Sequence, residues 1–150
     1  MLDRVGNGNK FIVMPKACYV DIKQQSPVIV QSRWDGDLSE FHIERARLSS
    51  CQLYAIAYSV AQGLKSLADR AIVHRDLTIR NVLWKKLGRA NAEVSFAISD
   101  LGHACEEQRC RPRKGRFFHT APETKASPAA DVYSLGMLYL SLACRGENTT

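Results

Sequence analysis

Between Val73 and Trp84 the chain reads VHRDLTIRNVLW, a loop crowded with side chains able to do chemistry. His74, Arg75 and Asp76 stand together, Asn81 follows five residues after Asp76, and an apolar Val82-Leu83-Trp84 run closes the stretch. A carboxylate and an amide delivered to one point can orient a hydroxyl and hold a divalent cation, which is the chemistry of phosphoryl transfer. Such a loop needs stiff supports on either side. Val82-Leu83 leads away from Asn81 as one strand. Val94, Phe96 and Ile98 alternate with Ser95, Ala97 and Ser99, the period-2 pattern of a half-buried strand that ends at Asp100. Strand ends are stiff, so two oxygen ligands could be held in fixed register.

The flanking elements are legible too. Ser49 with Gln52 three residues on makes a capping box, and Leu53, Ile56, Ala57, Val60, Leu64, Leu67 and Ala68 keep helical spacing. A helix over Ser49 to Asp69 with one buried stripe is predicted. Ser127-Pro128 places an N-cap and a first-turn proline ahead of a second helix, apolar nearly all round. Phe11 to Met14, Ala17 to Ile22 and Pro27 to Gln31 are β-rich runs, the last two read as a hairpin. Met1 to Lys10 reads as loop, and Lys85 to Ala92 as a polar turn.

The spacing H-R-D-L-x-x-x-N resembles the catalytic loop of the eukaryotic-type protein kinases. Further pieces follow in the family's order. Ser99-Asp100-Leu101-Gly102 resembles the D-F-G magnesium motif, with Leu101 in the Phe position. Thr120-Ala121-Pro122-Glu123 resembles the A-P-E that closes the activation segment, and Asp131-Val132-Tyr133-Ser134-Leu135-Gly136 the D-x-W-S-x-G helix. Gly36-Asp37-Leu38 resembles the G-D-L after the hinge. Each match is weak alone; together and in order they are strong.

The resemblance implies an α+β fold, namely the end of a small β lobe with its hinge (1–37) and the first, mainly helical part of a large catalytic lobe (38–150). It implies ATP and Mg2+ as cofactors. Asp76 would be the catalytic base, with Arg75 and Arg80 beside it in the catalytic set. Val30, Gln31, Ser32 and Arg33 would line the adenine edge, with Leu83 also in the nucleotide site, and Asn81 and Asp100 would hold the metal. Asp131 would hydrogen-bond the loop backbone, while His74 and Leu101 would pack rather than react. In this family Arg75 meets a phosphate on the activation segment, yet from His103 to Pro122 the only hydroxyl is Thr120. Glu106 or Glu107 could serve Arg75 instead. Arg80 in D-L-x-x-R-N leans toward the tyrosine-kinase loop, whereas His119 stands where those enzymes place Trp.

Against the family's pattern, no G-x-G-x-x-G loop or V-A-I-K lysine precedes the hinge, and the chain reads as truncated at both ends. Little or no activity is expected from it alone. The competing reading is a truncated or degenerate kinase that acts as a binding module, docking a partner through its basic segment and last helix. Against a third, a small-molecule phosphotransferase, stand Arg75, the A-P-E and the D-V-Y-S-L-G helix. The basic run Arg109, Arg111, Arg113, Lys114 and Arg116 fits an acidic or phosphorylated partner, or a solvated loop.

Composition narrows the rest. With 150 residues, 45% hydrophobic and 24% charged, the chain suits one ordinary globular domain. The net charge of +6 would permit nucleic-acid contact, but no nucleic-acid motif accompanies it and none is expected. No run approaches the roughly 18 apolar residues of a membrane span. Five cysteines (Cys18, Cys51, Cys105, Cys110, Cys144), odd in number and without a C-x-x-C pair, predict reduced thiols in a cytoplasmic setting. Protein substrates, and a protein covering the last helix, are the expected partners.

Overall fold

A computed structural model describes residues 9–43, 48–88, 93–111, 120–123 and 125–144. The expected loop over 1–8 and the basic residues Arg113, Lys114 and Arg116 lie outside them.

The two predicted hairpin runs pair antiparallel as β1 (Pro15–Asp21) and β2 (Ser26–Gln31), in register from Asp21 opposite Ser26 to Ala17 opposite Val30, with a one-residue shift before Pro15 opposite Gln31. The polar turn closes on Asp21, whose Oδ1 accepts from the backbone N–H groups of Lys23 at 2.8 Å and Gln24 at 3.2 Å. Tyr19, Val20, Ile22 and Ile29 all stand exposed, so this hairpin adds little to the core.

A short linker then meets a second sheet. β3 (Gly36–Asp37) pairs with β5 (Val82–Leu87), which pairs with β6 (Glu93–Ile98), both antiparallel. Between them come α1 (Leu38–Ile43), α2 (Ser50–Ala68) and β4 (Ile72–Val73). Asp37 caps α1 by accepting from the N–H groups of Ser39 and Glu40 at 2.8 and 3.2 Å. After β6 come β7 (Cys105–Glu106), which pairs antiparallel with β4, and α3 (Pro128–Cys144).

The predicted central helix forms as expected. Ser49 Oγ accepts from Gln52 N–H at 3.2 Å while Gln52 Oε1 accepts from Ser49 N–H at 2.9 Å. Its stripe of Ile56, Val60, Leu64 and Leu67 is buried against β6 and α3, where Ile98, Leu138 and Leu142 complete the core. Gly63 permits the close approach: a Cβ there would lie 2.8 Å from the Phe11 carbonyl and 3.0 Å from Ile98 Cδ1. A second part of the core is aromatic, with the Phe41 ring 5.0 Å from Trp84 and 5.4 Å from Phe96. Ser127 caps α3 as read, its Oγ accepting from Ala130 N–H at 3.3 Å.

Three expectations are corrected. Phe11 to Met14 is no strand; Ile12 makes an isolated parallel bridge to Ile98, with Val13 N–H to Ile98 O at 2.8 Å, because β6 has one edge to cover. Lys85 to Leu87 belongs to β5 rather than to a polar turn. Its lysines are exposed while the backbone continues the ladder, with Lys86 opposite Val94 and Leu87 opposite Glu93, and residues 89–92 lie outside the described ones. Cys105 and Cys110 are joined as a disulfide. The turn Glu107–Arg109 folds the chain back and sets their Cα atoms 5.4 Å apart, a juxtaposition that counting cysteines could not foresee. Cys18, Cys51 and Cys144 are free and exposed.

Candidate active site

The loop after β4 is pinned from below. Leu77 is 1% exposed, and His74 is fully buried. Nδ1 of His74 accepts from the Asp76 N–H at 3.2 Å, which leaves the ring proton on Nε2 to donate to the Ser99 carbonyl at 3.0 Å. The imidazole thus ties the loop to the end of β6, a structural role consistent with the expectation that it packs rather than reacts.

Asp131, in the first turn of α3, holds the same loop from the other side. Its Oδ2 accepts from His74 N–H at 2.7 Å and its Oδ1 from Arg75 N–H at 2.9 Å. Burial pushes this carboxyl above its ordinary 3.8, against the opposing pull of the bonds from Arg75 and His74. Arg75 needs this support because its φ of 72° lies in the left-handed region that non-glycine residues rarely adopt. Its guanidinium reaches β7 and beyond: Nη1 lies 3.5 Å from Cys105 Sγ, and Nη2 donates to the Arg111 carbonyl at 3.1 Å. Glu106, one of the two acids expected to serve Arg75, lies 3.4 Å from Arg109 Nη1. The other, Glu107, donates its backbone N–H to the Ala71 carbonyl.

The half-buried Asp76 and Asn81 meet directly. Asn81 Nδ2 donates to the Asp76 carbonyl at 2.7 Å and to its carboxylate Oδ2 at 3.1 Å. The turn Ile79–Asn81 makes this contact by curling the chain back, with Asn81 N–H on Thr78 O at 3.0 Å. The Asn81 carbonyl in turn accepts from Ser99 N–H at 2.8 Å and Ser99 Oγ at 3.1 Å, and Val82 stands opposite Ile98. Asp100 therefore follows directly from a residue bonded to Asn81. Its φ of 58° starts a tight turn in which Oδ1 accepts from Gly102 N–H at 3.1 Å. Leu101 packs against the core, as expected.

The chemistry of these donors fits magnesium, which takes one or two carboxylate or amide oxygens and completes its shell with water and phosphate. With Nδ2 of Asn81 spent on Asp76, the amide Oδ1 is the ligand it offers, and Asp100 offers Oδ2. Among the described residues no cluster of three His, Cys, Asp or Glu forms a protein-only metal cage.

The remaining predicted positions are less closely gathered. Arg80 is exposed on the turn before Asn81. Val30 and Gln31 end β2, Arg33 is exposed, and Ser32 is half-buried. The linker is then drawn onto β5: Asp35 N–H donates to Trp84 O at 3.0 Å, and Asp35 Oδ2 accepts from Lys86 N–H at 2.8 Å. Leu83 lies opposite Asp37 as a result. Ser32 and Trp34 line an open concavity of about 430 Å³ with Asn9, Ile12, Met14 and Lys16, and Asp76, Asn81 and Asp100 are not among its lining residues. Sequence reasoning passed over Ser99 and Asp35, whose bonding depends on strand register that no local pattern reveals.

The sequence is similar to known proteins over most of its length. The family described as protein tyrosine and serine/threonine kinase matches residues 6–150. A TBC domain-containing protein kinase-like protein of Gallus gallus is 28% identical, over 92% of this chain and 18% of its own length. Serine/threonine-protein kinase dst4 of Dictyostelium discoideum is 30% identical over 89% of this chain and 29% of its own length. A dual serine/threonine and tyrosine protein kinase of Takifugu rubripes is 33% identical, over 69% of this chain and 11% of its own length. The chain belongs to the protein tyrosine and serine/threonine kinase family, and its α+β fold is kinase-like. It spans less than a third of the length of these relatives. No described helix is long and apolar enough to cross a membrane.

Proposed function

We propose that this chain carries the catalytic-loop region of a kinase domain that transfers the γ-phosphoryl group of Mg-ATP to a serine, threonine or tyrosine hydroxyl of a protein in the cytoplasm. The single observation that carries the reading is the bond from Asn81 Nδ2 to the Asp76 carboxylate beside the strand end that delivers Asp100. Asp76 would accept the proton of the attacking hydroxyl, and Asn81 would hold that carboxylate in place while offering its own oxygen to the cation. Asp131 would keep the His74 and Arg75 backbone, and through it the adjoining Asp76, in a fixed position. Magnesium bound through Asn81 and Asp100 would neutralise charge on the phosphate oxygens. The chain would divide at residue 37, with Val30 to Arg33 along the adenine and Leu83 also in the nucleotide site; Gly36–Asp37, just before the division, pair with Trp84 and Leu83 of β5.

The test is phosphate transfer from Mg-ATP to a mixed protein substrate, comparing the chain with its Asp76→Asn variant. Only weak transfer is expected from the chain; measurable transfer that disappears in the variant supports the reading, and measurable transfer that is equal in both contradicts it. A second reading, a binding module, is favoured by the exposed Val132, Tyr133, Tyr139 and Leu140 on α3. Folded protein with no Mg-ATP binding at all would select it.

A further inference from the structure

Cys105 and Cys110 fall in the stretch after Asp100, where the sequence offers almost no hydroxyl for a phosphate-based control. Both are half-buried, so a small oxidant can reach them, and the turn Glu107–Arg109 brings their Cα atoms to 5.4 Å. Cys105 also stands opposite Val73 across the β4–β7 pair, two residues from Arg75 in the catalytic loop. The Arg75 guanidinium touches Cys105 Sγ with one nitrogen and the carbonyl of Arg111, next to Cys110, with the other. One cation therefore spans both ends of the bridged turn.

We propose that Cys105 and Cys110 are an oxidation site, a dithiol–disulfide pair whose closure by peroxide fixes the turn against Arg75. A guanidinium beside a cysteine favours its thiolate, the form that attacks an oxidant. The Cys105 thiolate attacks one oxygen of hydrogen peroxide, the O–O bond breaks, and hydroxide leaves and takes up a proton as water. The Cys110 sulfur then attacks the resulting sulfenic acid, the S–O bond breaks, and a second water leaves. Two thiols lose two electrons and two protons, and one peroxide becomes two waters. Closure sets Arg111 where its carbonyl meets Arg75. Neither ATP nor phosphoryl transfer enters this step, so it stands or falls apart from the proposed kinase activity.

The test uses the full chain, reduced and then exposed to limiting hydrogen peroxide, with thiols mapped by alkylation and mass spectrometry. Cys105 and Cys110 lose alkylation together and first, ahead of the exposed Cys18, Cys51 and Cys144. In Cys110→Ser, dimedone traps sulfenic acid on Cys105. Arg75→Gln slows oxidation of Cys105 about three- to tenfold, and Arg75→Lys restores most of the rate. Oxidation of Cys18, Cys51 or Cys144 while Cys105 and Cys110 stay alkylatable overturns the proposal, as does the absence of a Cys105 adduct in Cys110→Ser. Should Arg75→Gln fail to fold, the trapping experiment decides alone.

Discussion

Asp131 accepts the Arg75 backbone N–H at 2.9 Å across 56 residues of sequence, and the neighbouring N–H of His74 at 2.7 Å. Through these two bonds the first turn of α3 holds a loop residue whose backbone would otherwise relax out of the left-handed region. Replacing the carboxylate leaves two N–H groups unpaired, one of them buried, at about 1–3 kcal/mol each. Asp131→Ala is expected to lower unfolding free energy by about 3 kcal/mol in urea titration, and to abolish any phosphoryl transfer. A loss under 1 kcal/mol would show that the loop is held by other means.

The same carboxyl makes a pH prediction. Its pKa is raised in the folded protein, chiefly by burial, so the folded state binds the proton more tightly than the unfolded state. The pH-dependent part of its contribution to stability is complete below about 3.8 and is lost as pH rises through the higher folded value, while the two N–H bonds remain. The difference in unfolding free energy between the chain and Asp131→Asn should therefore shrink as pH rises from that point. A difference that grows over the same range would mean that the two N–H bonds outweigh burial.

Gly63 offers a packing test. Gly63→Ala puts a methyl 2.8 Å from the Phe11 carbonyl and 3.0 Å from Ile98, so helix and strand must separate. A loss of about 1–3 kcal/mol is expected by thermal or urea unfolding, despite alanine's better helix propensity. Stabilisation would mean that α2 does not approach β6 this closely.

Asn81→Ala removes the amide that touches both the carbonyl and the carboxylate of Asp76. Any phosphoryl transfer should fall about 10²- to 10³-fold, the usual effect of losing one preorganised polar group. Far-UV circular dichroism should be unchanged, because Val82 and Trp84 still anchor β5 in the core. Full activity in this variant would remove Asn81 from the site.

Elements governed by local pattern are legible in the sequence alone. The capping box at Ser49, the stripe of α2 and the Ser127-Pro128 start of α3 all emerge at their expected places. The loop from His74 to Asn81 was legible because its chemistry is concentrated in eight consecutive residues. Register was harder. Lys86 and Leu87 look like turn residues yet continue a ladder, since an exposed strand end tolerates polar side chains as long as its backbone is paired. The Cys105–Cys110 pairing depends on a single turn of 3-10 helix, and the bonding of Ser99 to Asn81 on how β5 meets β6. Neither leaves a periodic trace.

The central claim is that Asp76, Asn81 and Asp100 together hold a metal-bound triphosphate, and calorimetric titration with ATP tests it most directly. ATP should bind in the presence of magnesium, bind far more weakly after chelation, and lose the magnesium dependence in Asp100→Ala. At about 100-fold over Kd, binding should add roughly 2.7 kcal/mol, seen as a rise of several degrees in Tm. ATP binding that is indifferent both to magnesium and to Asp100, or no binding by the folded chain, would contradict the account.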